Sequence, residues 1–227
     1  MTYGDGGMAC QTKYCFAHVP IFQNLQEEEF TQIAHMITRR TYRKGEYILL
    51  AGDERQTLCI IRSGRVKIVK PLMDGSEQLI RISQDGDFFG DAMLFQETPL
   101  AVNVEAMEPT EICVLDGEEL KKLLAKTPTI LFEMVAQLMS RIDAMATNLS
   151  EICHKEVGPR VASFLLKNYD KVETTHLLPK KDIASLLGTT RESVSRKLSE
   201  FQRAGYIEMD KNTIRLVNVI ALSQIAQ

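Results

Sequence analysis

The chain has 227 residues, 44% of them hydrophobic, and a formal net charge of −3. That length suits one large domain or two modest ones around a buried core. No run nears the ~20 apolar residues of a membrane span, and the opening MTYGDGGMACQTKYC has no basic-then-apolar leader, so the expectation is a cytoplasmic protein with no membrane partner.

Residues 1–18 have no periodicity but hold Cys10, Cys15 and His18. Residues 20–38 carry Leu25, Phe30, Ile33 and Ile37 at spacings that predict a helix. From about Arg40 to Leu115 short β-rich runs follow, punctuated by Gly45, Gly52, Gly64, Gly75 and Gly86 at intervals of 7, 12, 11 and 11. Asp74-Gly75, between IVKPLM and SEQLIRI, marks a hairpin. Regular short strands cut by turns predict a β-sandwich or jelly roll. A long helix is expected over residues 129–153. Along it Leu131, Val135, Leu138, Ile142, Met145, Leu149 and Ile152 step by 4 and 3 alternately. A strict 3.5 period over three repeats predicts pairing with a second helix, hence a homodimer; a helix packed on the β domain would show a wider stripe at 3.6.

Gly158-Pro159 predicts a hinge, Val161–Tyr169 a helix and Leu177-Leu178 a short strand. Two short amphipathic helices then meet at Gly188-Thr189. Ile183, Leu186 and Leu187 make the apolar face of the first, and Val194, Leu198 and Phe201 that of the second. Glycine permits the sharp turn, and Thr189 with Glu192 fits a capping box. Arg191, Glu192, Ser195 and Arg196 are left outside on the second helix, preceded by Thr190. Arginine can fork onto guanine, glutamate can accept from cytosine, and serine can reach either kind of base. The bland alternative is a solvated helix with ordinary charges. Lys180 and Lys181 are expected on phosphates. Tyr206–Met209 and Thr213–Val217 flank Asp210-Lys211-Asn212 as a small hairpin, which makes the helix-turn-helix winged. The charge distribution agrees: residues 154–227 hold 12 basic and 8 acidic residues, whereas residues 1–153 hold 15 and 22.

This order of parts resembles the cyclic-AMP receptor protein / fumarate–nitrate reduction regulator (CRP/FNR) family of bacterial transcription factors over nearly the whole chain. The most specific pieces are Arg62-Ser63-Gly64, Gly86-Asp87-Phe88-Phe89-Gly90-Asp91 and Arg191-Glu192-Ser193-Val194-Ser195-Arg196. The resemblance implies that Glu192 and Arg196 read the G·C pair of a T-G-A core in each half of a palindromic site. Ser195 matches the oxygen-responsive branch and Arg191 the cyclic-AMP branch, so the outermost base stays open. RNA polymerase is the further partner implied. Members that bind a cyclic nucleotide carry an Arg-Ser or Arg-Thr pair shortly after the glycine-acid turn. Here that region reads Pro99-Leu100-Ala101, and no Lys or Arg occurs between Arg81 and Lys121. Without the bidentate phosphate partner, cyclic AMP is not the expected effector.

The cysteines offer another input. Five cysteines, an odd number, do not make a disulfide framework in a reducing compartment. Cys113, in EICVL, falls where the oxygen-sensing relative has its distant cluster cysteine. Cys10, Cys15 and Cys113, with His18 near the position of a missing cysteine, are candidates for an iron–sulfur cluster, a zinc ion or a redox-active disulfide. The alternative is that Cys113 is a buried apolar residue. Cys59 reads as strand core and Cys153 as packing.

The fold class expected is α+β. A sensor β-barrel domain (1–128, cyclic-nucleotide-binding-like) is followed by a dimerisation helix (129–153) and a winged helix-turn-helix (154–227). The function expected is a homodimeric DNA-binding transcription regulator responding to oxygen, redox state or a metal through cysteines, and not an enzyme. The competing readings are a cyclic-nucleotide module acting on a protein partner, a constitutively active regulator with no small effector, and a thiol enzyme using Cys10 and Cys15. Against the last, there is no C-x-x-C spacing and no nucleophile–base pair.

Overall fold

The computed structural model describes residues 8–9, 19–22, 27–96, 98–169, 175–176, 178–211 and 213–227. The chain divides into two compact units, Met1–Ser140 and Arg141–Gln227.

The first unit is built on two antiparallel sheets. Strand β1 (Met8–Ala9) is followed by a 3-10 turn at Pro20–Phe22, helix α1 (Glu27–Met36), and strands β2 (Ile37–Tyr42), β3 (Tyr47–Leu49), β4 (Thr57–Ser63), β5 (Val66–Pro71), β6 (Glu77–Ser83) and β7 (Phe88–Phe89). Helix α2 (Asp91–Phe95), strands β8 (Asn103–Ala106) and β9 (Thr110–Asp116) and helix α3 (Gly117–Lys126) complete it. One sheet runs β1-β2-β9-β4-β7 and the other β3-β8-β5-β6. The predicted hairpin is β5–β6, closed by Gly75 N–H donating to the Leu72 carbonyl at 3.1 Å.

Strand alternation gives the five-stranded sheet two apolar faces. Cys59, Ile61, Phe89 and Ile112 point between the sheets, where they meet Val66, Ile68 and Val104. Leu58, Ile60, Phe88, Cys113 and Leu115 point the other way, to Ile33 of α1 and Leu120, Leu123 and Leu124 of α3. The two phenylalanines of the glycine-acid turn thus serve opposite cores. Gly90 ends that turn at φ +86°, and a Cβ there would lie 2.4 Å from the Thr57 carbonyl oxygen, so no side chain fits.

Helix α4 spans Pro128–His154, close to the expected range. Its first turns belong to the first core: Ile130 and Met134 are fully buried.

The second unit continues with α5 (Val157–Asn168), β10 (Thr175–His176), α6 (Lys180–Leu186), α7 (Arg191–Arg203), β11 (Ile207–Asp210), β12 (Thr213–Leu216) and α8 (Val219–Ala226). The wing sheet runs β10-β12-β11. Val161, Leu165, Ile183, Val194, Leu198, Ile214 and Leu222 form its buried interior. Burying each such side chain stabilises by about 1.5–3 kcal/mol.

Several predicted boundaries move. Ile37 opens a strand rather than closing a helix. Gly158-Pro159 lies in the first turn of α5 instead of forming a hinge; proline is tolerated there because the first-turn N–H has no partner within the helix. A short strand forms at Thr175–His176; of the predicted pair Leu177-Leu178, Leu178 is not in a strand and Leu177 lies outside the described residues.

Candidate nucleic-acid interface

Helices α6 and α7 make the predicted helix-turn-helix. Gly188 turns the chain at φ +57°. The Thr189 N–H donates to the Ala184 carbonyl at 2.9 Å, so that residue's backbone closes α6. The cap of α7 therefore falls to Thr190, one residue later than the sequence predicts. Thr190 is extended (φ −92°, ψ 152°) and its Oγ1 accepts from the Ser193 N–H at 3.2 Å. Glu192 sits within the first turn, near the positive end of the helix dipole.

The turn is braced from two sides. Arg160 of α5 is buried and donates to the Leu187 carbonyl, at the end of α6. The Ile152 side chain of α4 comes within 3.0 Å of where a Gly188 Cβ would stand. Ile152, read from sequence as a seam residue, thus also packs on the turn.

Helix α7 divides sharply. Val194 and Leu198 are 0% exposed and Phe201 5%. Arg191, Glu192 and Arg196 are exposed, and among the described residues they make no hydrogen bond or ion pair. Other charges on the unit are engaged. Lys197 Nζ pairs with Glu200 Oε2 at 2.8 Å, and this hydrogen bond, helped by the charges of Lys197, Arg196 and Arg203, holds the Glu200 carboxyl below the usual range. In the wing, Arg215 pairs with Glu208 at 2.6 Å. Of the two predicted phosphate lysines, Lys181 is exposed, but Lys180 donates to Ser195 Oγ at 3.2 Å. Sequence reasoning missed that contact, since nothing periodic links residues fifteen apart on different helices.

Along α4 the predicted seam is open. Val135 is 46% exposed, Ile142 55%, Met145 52% and Leu149 62%; Leu131 and Ile152 are exposed too, and Leu138 is half-buried. Phe132 and Met139, outside the seam, are also exposed apolar residues on this helix.

The cysteine set is divided. Cys10, Cys15 and His18 lie outside the described residues. Cys113 is buried on β9, with Arg39 of β2 directly opposite. Arg39 in turn pairs with Met8 of β1, so a short piece of the N-terminal segment joins the same sheet two strands from Cys113, on the order of 10 Å away. Among the described residues no three metal-ligating side chains come together. Cys59 is fully buried between the sheets, and loss of solvation pushes its thiol up to about 12.

A cation of strand β6 reaches the glycine-acid segment. Arg81, the basic residue preceding it, donates to Ser83 Oγ at 2.8 Å and to the Phe88 carbonyl at 3.2 Å.

Comparison with known proteins agrees with this division. Residues 39–127 match the cyclic nucleotide-binding domain family, and residues 159–225 match the Crp-like helix-turn-helix domain family. The chain is 28% identical to the Cyclic AMP receptor protein of Thermus thermophilus over 208 residues, covering 91% of this chain and 96% of that one. It is equally 28% identical to the Fumarate and nitrate reduction regulatory protein of Escherichia coli K12 over 233 residues, covering 98% and 92%. Among solved structures, FixK2 from Bradyrhizobium japonicum shares the fold with a TM-score of 0.73 at 24% identity, over 84% of this chain and 98% of that one. No helix among the described residues is long and apolar enough to cross a membrane.

Proposed function

The chain belongs to the CRP/FNR family of DNA-binding transcription regulators, and from that membership we propose a homodimer that reads two symmetric half-sites with a T-G-A core. One observation carries this reading: the apolar face of α7 is buried while Arg191, Glu192 and Arg196 stand exposed, with no hydrogen bond or ion pair among the described residues. Arg196 forks onto guanine O6 and N7, and Glu192 accepts from the N4 amino group of the paired cytosine. The half-sites lie about one helical turn, ~34 Å, apart. The open seam of α4 supports the second copy, and a promoter-bound dimer then addresses RNA polymerase.

The proposed input is oxygen, redox state or a metal, sensed through Cys10, Cys15, His18 and Cys113, on the oxygen-responsive branch of the family. Two features favour it over a cyclic nucleotide. The stretch from Ile82 to Leu120 has no cation to meet a cyclic phosphate. On β2, Arg39 is paired opposite Cys113 and also with Met8, so the N-terminal segment reaches the sheet that carries Cys113. Of this set only Cys113 lies among the described residues.

Fluorescence anisotropy tests the DNA reading. A duplex with palindromic T-G-A half-sites should bind at least ~1000-fold tighter than a scrambled one of equal length at the same salt. Equal affinity for both would overturn it. For the input, affinity should differ between protein prepared with and without oxygen; identical affinity in oxidised, reduced, chelated and metal-reconstituted protein would overturn the cysteine reading.

A further inference from the structure

The first residue of α6 reaches across the helix-turn-helix to the fifth residue of α7. Lys180 Nζ stands 3.2 Å from Ser195 Oγ, and both side chains are half-buried. An ammonium group only donates, so the serine oxygen is the acceptor. We infer that Lys180 is a positioning residue that fixes Ser195 as a hydrogen-bond donor and so sets which base Ser195 selects. The inference rests on α7 being the base-reading element.

A free serine hydroxyl is indifferent, because it rotates to donate or to accept. The lysine removes that freedom. One oxygen lone pair is filled, and the positive charge beside it opposes the approach of any further donor from the DNA. The proton is what remains to be offered. Ser195 lies on the shoulder of α7, about 100° from Arg196 and one turn beyond Arg191, beside the exposed reading face. A hydroxyl held as a donor there selects thymine O4, guanine O6 or N7, or adenine N7. It selects against the amino groups of cytosine and adenine. Lys181, the neighbouring lysine, is exposed and makes no hydrogen bond among the described residues. The two lysines therefore separate into a sequence-blind phosphate partner and a residue that acts on sequence through another side chain.

Selection of DNA from a library with randomised half-sites tests this on the full-length protein, comparing wild type, Lys180→Met, Ser195→Ala and the double variant. Methionine keeps the length of the stem and removes the donor. At the base pair where Ser195→Ala relaxes preference, Lys180→Met should relax it too, by about 3–10-fold, the size of one ordinary hydrogen bond. The double variant should relax it no further, since the two residues form one unit. Lys180→Arg, which restores a donor, should return the preference and also serves if the methionine variant folds poorly.

The inference is overturned if Lys180→Met weakens every sequence alike, flattens the salt dependence and leaves the preference unchanged, as loss of a phosphate contact would. It is also overturned if Ser195→Ala relaxes no base pair. Failure of the underlying reading looks different: wild type would then show no sequence preference at all.

Discussion

Helices α7 and α4 are both amphipathic, and each leaves one face open among the described residues. In α7 the apolar face is consumed: Val194 and Leu198 are 0% exposed, and the open face carries Arg191, Glu192 and Arg196. In α4 the relation reverses. Ile130 and Met134 are buried in the first core, while Val135, Ile142, Met145 and Leu149 remain open. An unused polar face costs nothing in water and suits a charged partner. An unused apolar stripe of this length is what a second apolar surface covers. On the proposed function the two helices divide the work, α7 facing nucleic acid and α4 facing another copy.

The largest expected effect tests the α4 side. Ile142→Glu places a charge in the middle of the seam and should weaken the dimer by about 3–5 kcal/mol, the cost of an uncompensated buried charge, read by sedimentation equilibrium. On the α7 side, Arg196→Ala should cost ~1–3 kcal/mol on the specific duplex, with relaxed preference at its G·C pair. Equal loss on random DNA would make Arg196 a phosphate contact.

Two smaller effects sharpen the contrast between faces that are filled and faces left open. Cys59 and Cys113 sit opposite Val114 and Ile60 respectively, on the adjacent strands β4 and β9, and point to opposite sides of the sheet. The Cys59 thiol is raised from 9.0 to about 12 by burial. The folded state therefore keeps that proton to higher pH than the unfolded chain does. Its contribution should be full below about pH 9 and then fall by about 1.4 kcal/mol per pH unit as pH rises toward 12. Comparing denaturant midpoints of wild type and Cys59→Ala across that range checks the slope. Thr190→Ala should cost about 1 kcal/mol through loss of the α7 cap, visible as a lower thermal midpoint. The smallest expected effect is none: cyclic AMP should leave the thermal midpoint unchanged, because any ligand of the folded state raises it. A saturable rise would restore the cyclic-nucleotide reading.

What could be read from sequence was what periodicity and turn chemistry dictate. The apolar stripe of α4, the buried set of α7, the β5–β6 hairpin and the wing all follow from local patterns of apolar residues and turn signals. The errors come from places where two local rules fit equally well. Ile33 and Ile37 satisfy helical spacing, yet Ile37 also starts the alternation of β2. Thr189 and Thr190 both suit a cap, and only the bond from Thr189 N–H to the Ala184 carbonyl decides between them. Pro159 reads as a breaker but is harmless in a first turn. Contacts between residues distant in sequence carry no local signal. The Lys180–Ser195 bond, the Arg160 brace on Leu187 and the packing of Ile152 on Gly188 are of that kind. Three members of the cysteine set, Cys10, Cys15 and His18, lie outside the described residues. Their grouping with Cys113 therefore still rests on resemblance and on the strand pairing of Met8–Ala9.

The division between α4 and α7 is tested most directly by sedimentation of wild type, Ile142→Glu and Arg196→Ala with a fluorescent palindromic T-G-A duplex. Wild type should sediment as two chains per duplex, and Arg196→Ala as a dimer in solution whose preference for that duplex over a scrambled one is reduced. Ile142→Glu should sediment as a monomer with the specific complex lost. A wild type that binds the palindrome as one chain, or an Ile142→Glu protein that remains dimeric with full affinity, would contradict the account.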